Sequence, residues 1–249
     1  MEPTKRLTRK QKRIQGLQKD KNEDALKLNF KLKHFEPLTD NQRRTFEYYD
    51  KEKNIMLHGI AGTGKSFISC YLAMKQLLDG DTRYKRLVIV RSVVPTRDMG
   101  FLPGNSKEKT KVYEAPYQAI FTELFGRGDA YEYLKQRGIV EFISTSFIRG
   151  ITLNDCIVVV DEMQNMDWGE LSSIITRVGK NCKIIYCGDF KQSDFRYKER
   201  ESRKDVLKFM NVLKNMEEFE FIEFGIADIV RSKIVKSFII SVNNLGLDL

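Results

Sequence analysis

The chain has 249 residues, 41% of them hydrophobic, and a formal net charge of +9, which suits one substantial core better than two. Its two histidines and four cysteines, with no C-x-x-C pair, exclude a zinc centre of familiar spacing, and no window approaches the roughly 18 apolar residues of a membrane span. These features predict one cytoplasmic domain, free of membrane and with reduced cysteines.

Residues 1–34 hold eleven Lys or Arg against four Asp or Glu, so most of the positive surplus lies there. The segment has no sustained apolar stripe and is expected to be a flexible basic arm ahead of a core covering residues 35–249. Such an arm can neutralise nucleic-acid phosphates or simply solubilise the chain. No aromatic is interleaved among its leading charges, Lys5 to Arg13, which argues against base stacking there. Next, Thr39 or Asp40 can cap a helix that turns Phe46 and Tyr49 inward. Gln42 on that helix either pairs with an adenine edge through its amide or is a plain surface residue.

The apolar run Asn54–His58 leads into Gly59-Ile60-Ala61-Gly62-Thr63-Gly64-Lys65-Ser66, followed by the helix-like Phe67–Ala73. Strand, glycine loop and helix opening on Lys-Ser spell a P-loop. Its main-chain N–H groups can surround a phosphate above the positive end of the following helix. Lys65 would reach the β- and γ-phosphates and Ser66 would hold Mg2+. The plainer alternative is a glycine turn with an incidental lysine. All fixed positions match in the right context, which favours nucleotide binding.

Beyond a helix expected to end near Gly80, Leu87–Arg91 reads as a buried strand, and Ser92–Lys111 as a long loop containing Gly100-Phe101-Leu102-Pro103-Gly104. Phe101 can stack a base beside Lys107, Lys109 and Lys111 or fold back on the core. Pro116–Phe125 and Ala130–Gln136 read as helices and Val140–Ser144 as a strand. The run Cys156–Val160 ends in Asp161-Glu162. A buried parallel strand ending this way puts Asp161 beside the P-loop as a magnesium holder and Glu162 where it can deprotonate water. No Asn-Lys-x-Asp motif accompanies it, so ATP is expected rather than GTP. A helix is expected over Asp167–Val178 and a strand over Lys183–Asp189, leading to Gln192, a candidate γ-phosphate sensor. The charged run Arg196–Arg200 is either a nucleic-acid contact or a solvated loop. Phe219–Phe224 alternates as a strand, and a last helix is expected from Asp228 to about Asn243.

Taken as a series, Gly59–Ser66, Gly100–Gly104 with Glu108-Lys109, Phe147–Gly150, Val160–Asn165, Thr176–Gly179, Gly188–Gln192 and Asp228–Arg231 resemble the PhoH-like family of ATPases, relatives of the first domain of superfamily 1 helicases. The resemblance covers about residues 35–243. It implies an α/β fold with a RecA-like, mostly parallel sheet flanked by helices, ATP and Mg2+ as cofactors, single-stranded RNA or DNA as partner, and a homo-oligomer that is a hexameric ring in some members. It also carries over nucleotide contacts along Gly62, Thr63, Gly64, Lys65 and Ser66, beside which Gly59, Ala61 and Phe67 are further candidate contacts, and magnesium at Ser66 and Asp161. Water activation falls to Glu162, γ-phosphate sensing to Gln192, and the role of arginine finger to Arg231. A neighbouring copy completing each site through Arg231 competes with a local pairing of Arg231 to Asp228 or another nearby acid that merely pins the last helix. The activity expected is ATP hydrolysis in the service of a single strand. An ATP-gated binding module and a P-loop kinase are the alternatives.

Overall fold

The computed structural model of the chain describes residues 28, 30–79, 82–93, 106–189 and 201–245. Within them six strands form one sheet in which every pairing is parallel. In chain order the strands are β1 (Asn54–Gly59), β2 (Arg86–Arg91), β3 (Val140–Ser144), β4 (Cys156–Asp161), β5 (Cys182–Asp189) and β6 (Phe219–Phe224). Across the sheet they run β3-β2-β4-β5-β1-β6. The described helices are α1 (Asp40–Asp50), α2 (Lys65–Leu78), α3 (Ser106–Phe125), α4 (Ala130–Gln136), α5 (Trp168–Ile175), α6 (Glu201–Lys214) and α7 (Lys233–Asn244). This is the RecA-like α/β architecture expected from the motifs.

Parallel strands are joined by crossovers that place helices on both faces, so the central strands must be apolar on both sides. The strand period of two then sorts each strand's residues between two cores. Ile55, Leu57, Ile89, Val159, Ile185 and Phe224 face one layer with α2, α3 and α4. Met56, Val88, Val90, Val158, Ile184 and Tyr186 face the other, closed by Leu171 and Ile174 of α5 and by Val206, Phe209, Met210 and Leu213 of α6. A third, smaller cluster of Ile60, Ile229 and Ile239 seats α7 against the loop that follows β1.

Several boundaries differ from the sequence expectation. The interval expected as a loop to Lys111 becomes helix at Ser106, and α3 continues through Pro116 to Phe125. Helix α6 has no counterpart among the expected elements, although its apolar residues stand at helical spacing. The last helix starts at Lys233 rather than Asp228, because Ile226–Asp228 form a 3-10 turn and Ile229 is extended. Leu28, Phe30 and Leu32, grouped with the basic arm on charge, pack on the first core layer, and the N–H of Lys33 bonds the carbonyl of Leu124 at 2.8 Å. The basic cluster Lys5–Arg13, the Gly100–Gly104 run with Phe101, Phe190, Gln192 and Arg196–Arg200 lie outside the described residues. Among the described residues no helix is long and apolar enough to cross a membrane.

Candidate nucleotide and magnesium site

The site forms at the carboxyl ends of β1, β5 and β4. Gly59 turns the chain out of β1 at φ +125°, and a Cβ there would stand 2.1 Å from the carbonyl oxygen of Phe224, so neither conformation nor space admits a side chain. Gly62, also at positive φ, is roofed in: an added Cβ would lie 3.1 Å from both Arg231 Cγ and Ile239 Cδ1. Gly64 in the left-handed region ends the loop and starts α2 at Lys65. The amides at the start of α2 have no intrahelical partner, which makes this end of the helix an anion seat.

Lys65 is 4% exposed, and its ammonium sits on the carbonyl oxygen of Ile60 at 2.7 Å, Thr63 Oγ1 at 3.2 Å and Asp189 at 2.7 Å. The lysine is therefore already held in place by the loop and by the tip of β5. In the sequence Asp189 reads as a strand end within the Gly188–Gln192 motif, with no local signal for this pairing.

Ser66 Oγ donates to Asp161 Oδ1 at 2.7 Å. The loop and the acid therefore converge, although β4 is not the immediate neighbour of β1, since β5 runs between them. Tyr117 of α3 donates to the other oxygen, Asp161 Oδ2, at 2.8 Å. Burial pushes the Asp161 carboxyl above the usual range, against the pull of the Ser66 and Tyr117 hydrogen bonds and of Arg91. A hydroxyl facing a carboxylate whose charge is poorly solvated is a donor set that suits a hard divalent cation.

Glu162 follows in the left-handed region at φ +56°, an uncommon conformation for a side chain of this size, which turns it off the strand axis. Its carboxyl is also pushed up, first by burial and then by Asp161 and Asp189. One oxygen accepts from Gln164 Nε2, and Gln164 Oε1 accepts the N–H of Asp189 at 3.1 Å. Arg91 at the tip of β2 approaches the other oxygen at 3.9 Å. Gln164 is thus a second residue that the sequence carries in a motif but whose task only the fold reveals.

Gln42 is buried, accepting the N–H of Leu38 at 2.7 Å and donating to the carbonyl of Thr63 at 3.1 Å. It braces the loop here instead of offering a free donor and acceptor to a base. Phe67 is edge-on to Phe35, with ring centroids 5.0 Å apart, and packs on the core. Val230 bonds Gly62 through its N–H at 3.1 Å, and exposed Arg231 lies over the loop of its own chain. Of the local pairings expected as the alternative, the one with Asp228 is not formed: Asp228 Oδ2 instead accepts from Asn41 Nδ2 and from the Gly225 N–H, each at 2.8 Å.

The family model described as PhoH-like protein matches residues 34–242. The chain is 32% identical over 218 residues to a PhoH-like protein of Bacillus subtilis (strain 168), covering 87% of this chain and 66% of that protein. It is 30% identical over 190 residues to Protein PhoH of Escherichia coli (strain K12), covering 74% of this chain and 51% of that protein. The chain thus spans between half and two thirds of the length of these curated relatives. Among solved structures, the UvsW helicase from Bacteriophage T4 aligns with a TM-score of 0.44 at 18% identity, over 82% of this chain and 67% of that one. The large terminase of a thermophilic bacteriophage aligns with a TM-score of 0.48 at 12% identity, over 82% of this chain and 50% of that one.

Proposed function

The chain belongs to the PhoH-like protein family, and from that premise and the geometry of the site we propose that it is a magnesium-dependent ATPase acting with single-stranded RNA or DNA. The observation that carries the reading is the 2.7 Å contact between Ser66 Oγ and Asp161 Oδ1, which joins the phosphate loop after β1 to an acid at the tip of β4, across the intervening β5. Ser66 and Asp161 are the residues that would hold Mg2+, whose chemistry there would be to neutralise charge developing on the transferred phosphoryl group.

The chain's own residues supply the rest. Main-chain amides from Gly62 to Ser66 grip the phosphates, and Lys65 exchanges Asp189 for a phosphate oxygen. Glu162, with a carboxyl pushed up by burial and by Asp161 and Asp189, accepts the proton of the attacking water. Gln164 holds that carboxylate in orientation. Arg231 meets the γ-phosphate and Gln192 senses it. Because Arg231 lies over its own loop, the finger is proposed to act within one chain. Arg231→Ala should lower kcat by about 10³-fold, the low end for an arginine finger, and mixing it with a Lys65→Ala chain should restore nothing. Recovery on mixing would mean that the arginine serves a neighbouring copy.

A homo-oligomer is part of the proposal. It is supported by Ile234, Phe238 and Leu245, at 79%, 61% and 72% exposure, which follow one another at helical spacing along α7 and its C-cap. The whole reading is tested by ATP hydrolysis with and without single-stranded RNA or DNA, measured beside the solution mass. Turnover is expected to rise at least several-fold with one of the two strands. Bound nucleotide with slow turnover that ignores both strands would point to an ATP-gated binding module instead.

A further inference from the structure

Tyr117 has no place in the reaction as proposed so far, yet its hydroxyl touches the acid that would hold the metal. It lies in α3, is 0% exposed, and donates to Asp161 Oδ2 at 2.8 Å across 44 residues of sequence. A phenylalanine would bury the same ring against Phe142, whose centroid is 5.8 Å away. The hydroxyl therefore adds one thing, a hydrogen-bond donor aimed at a buried carboxylate. Helix α3 is fixed a turn earlier, where buried Glu114 accepts from Tyr131 and Lys135 of α4, so the tyrosine reaches Asp161 from an anchored support.

We propose that Tyr117 is a positioning residue for Asp161, an inference that rests on the ATPase reading above. The two oxygens of the carboxylate have separate partners, Ser66 on Oδ1 and Tyr117 on Oδ2. If Ser66 Oγ served the metal, Asp161 would lose that donor, and the Tyr117 bond would keep Oδ2 pinned and Oδ1 facing the loop. Partners of this outer kind orient a ligand without touching the metal, and their removal typically weakens metal affinity by about 10–100-fold.

The test is Tyr117→Phe in the full chain, with a fluorescent ADP analogue titrated in excess EDTA and then at fixed concentration against Mg2+. In EDTA the affinity should stay within about twofold of wild type, while the Mg2+ concentration giving half of the metal-dependent gain rises by about 10–100-fold. In an Asp161→Asn background the same substitution should add less than about twofold, because the two residues act as one unit. An unchanged Mg2+ midpoint overturns the proposal. So does an equal loss of binding in EDTA and in Mg2+, which would mark a purely structural tyrosine. Wild-type protein that binds the analogue without regard to Mg2+ would instead remove the metal from the ATPase reading, and this inference with it.

Discussion

Lys65→Ala is expected to abolish measurable ATP turnover, with a fall in kcat of at least about 10³-fold. The lysine is the one cation among the described residues that the loop itself encloses, and its ammonium is 2.7 Å from the carbonyl of Ile60. Removing one fixed donor from a developing oxyanion typically lowers kcat by about 10²–10³-fold, and here the donor also carries a full charge. Nucleotide affinity should fall too, because the proposed role has the lysine meeting the phosphates in the ground state as well. A second effect belongs to the empty protein. Asp189 would lose its ion-pair partner while still facing Asp161 and Glu162. Since the Asp189 side chain is 39% exposed, solvent screens the loss, and destabilisation should stay at about 1 kcal/mol. Steady-state hydrolysis, nucleotide titration and thermal unfolding check the three parts, and hydrolysis within tenfold of wild type would remove Lys65 from the mechanism.

Glu162→Gln should divide the two functions that Lys65→Ala removes together. General-base catalysis contributes about 10²–10⁴-fold, so single-turnover hydrolysis should slow by that range. Binding should hold or tighten, because the change deletes a negative charge from a cluster of three acids facing a polyanion. The cluster itself is the evidence for the sign: Asp161 and Asp189 both push the Glu162 carboxyl up. Glutamine keeps the size and an acceptor for Gln164, so the left-handed backbone at residue 162 is left undisturbed. Weak binding of ATP by this variant, or hydrolysis at the wild-type rate, would assign the proton transfer elsewhere.

The parts of this site that are legible in the sequence are those whose chemistry is local. Gly59 through Ser66 must be contiguous to wrap a phosphate, and Asp161-Glu162 must end a buried strand, so both announce themselves in a few residues. The six strands are similarly readable: four are short runs dominated by apolar residues, while β3 and β6 interleave Glu141, Glu220 and Glu223 with apolar residues. What escapes is assembled across the chain. Tyr117 meets Asp161 from 44 residues away, and Asp189 meets Lys65 only because β5 is inserted beside β1. Strand order is set by crossover packing, which no local pattern encodes. Helix α6 escapes for a different reason: the stripe Val206, Phe209, Met210 and Leu213 has helical spacing, but the charged run before it reads as a solvated loop and masks the start. The start of α3 carries lysines without a stripe and gives no periodic signal to compete with the neighbouring Gly100–Gly104 run.

Because β5 lies between the strand of the loop and the strand of the acids, its terminal residue is a hinge pin shared by two tasks. The carboxylate of Asp189 holds the lysine while its N–H holds Gln164, which in turn holds Glu162. With Lys65 and Glu162 in their proposed roles, displacement at that pin would move phosphate affinity and water activation in concert. Selection or engineering that tunes one at the middle strand's tip therefore drags the other along.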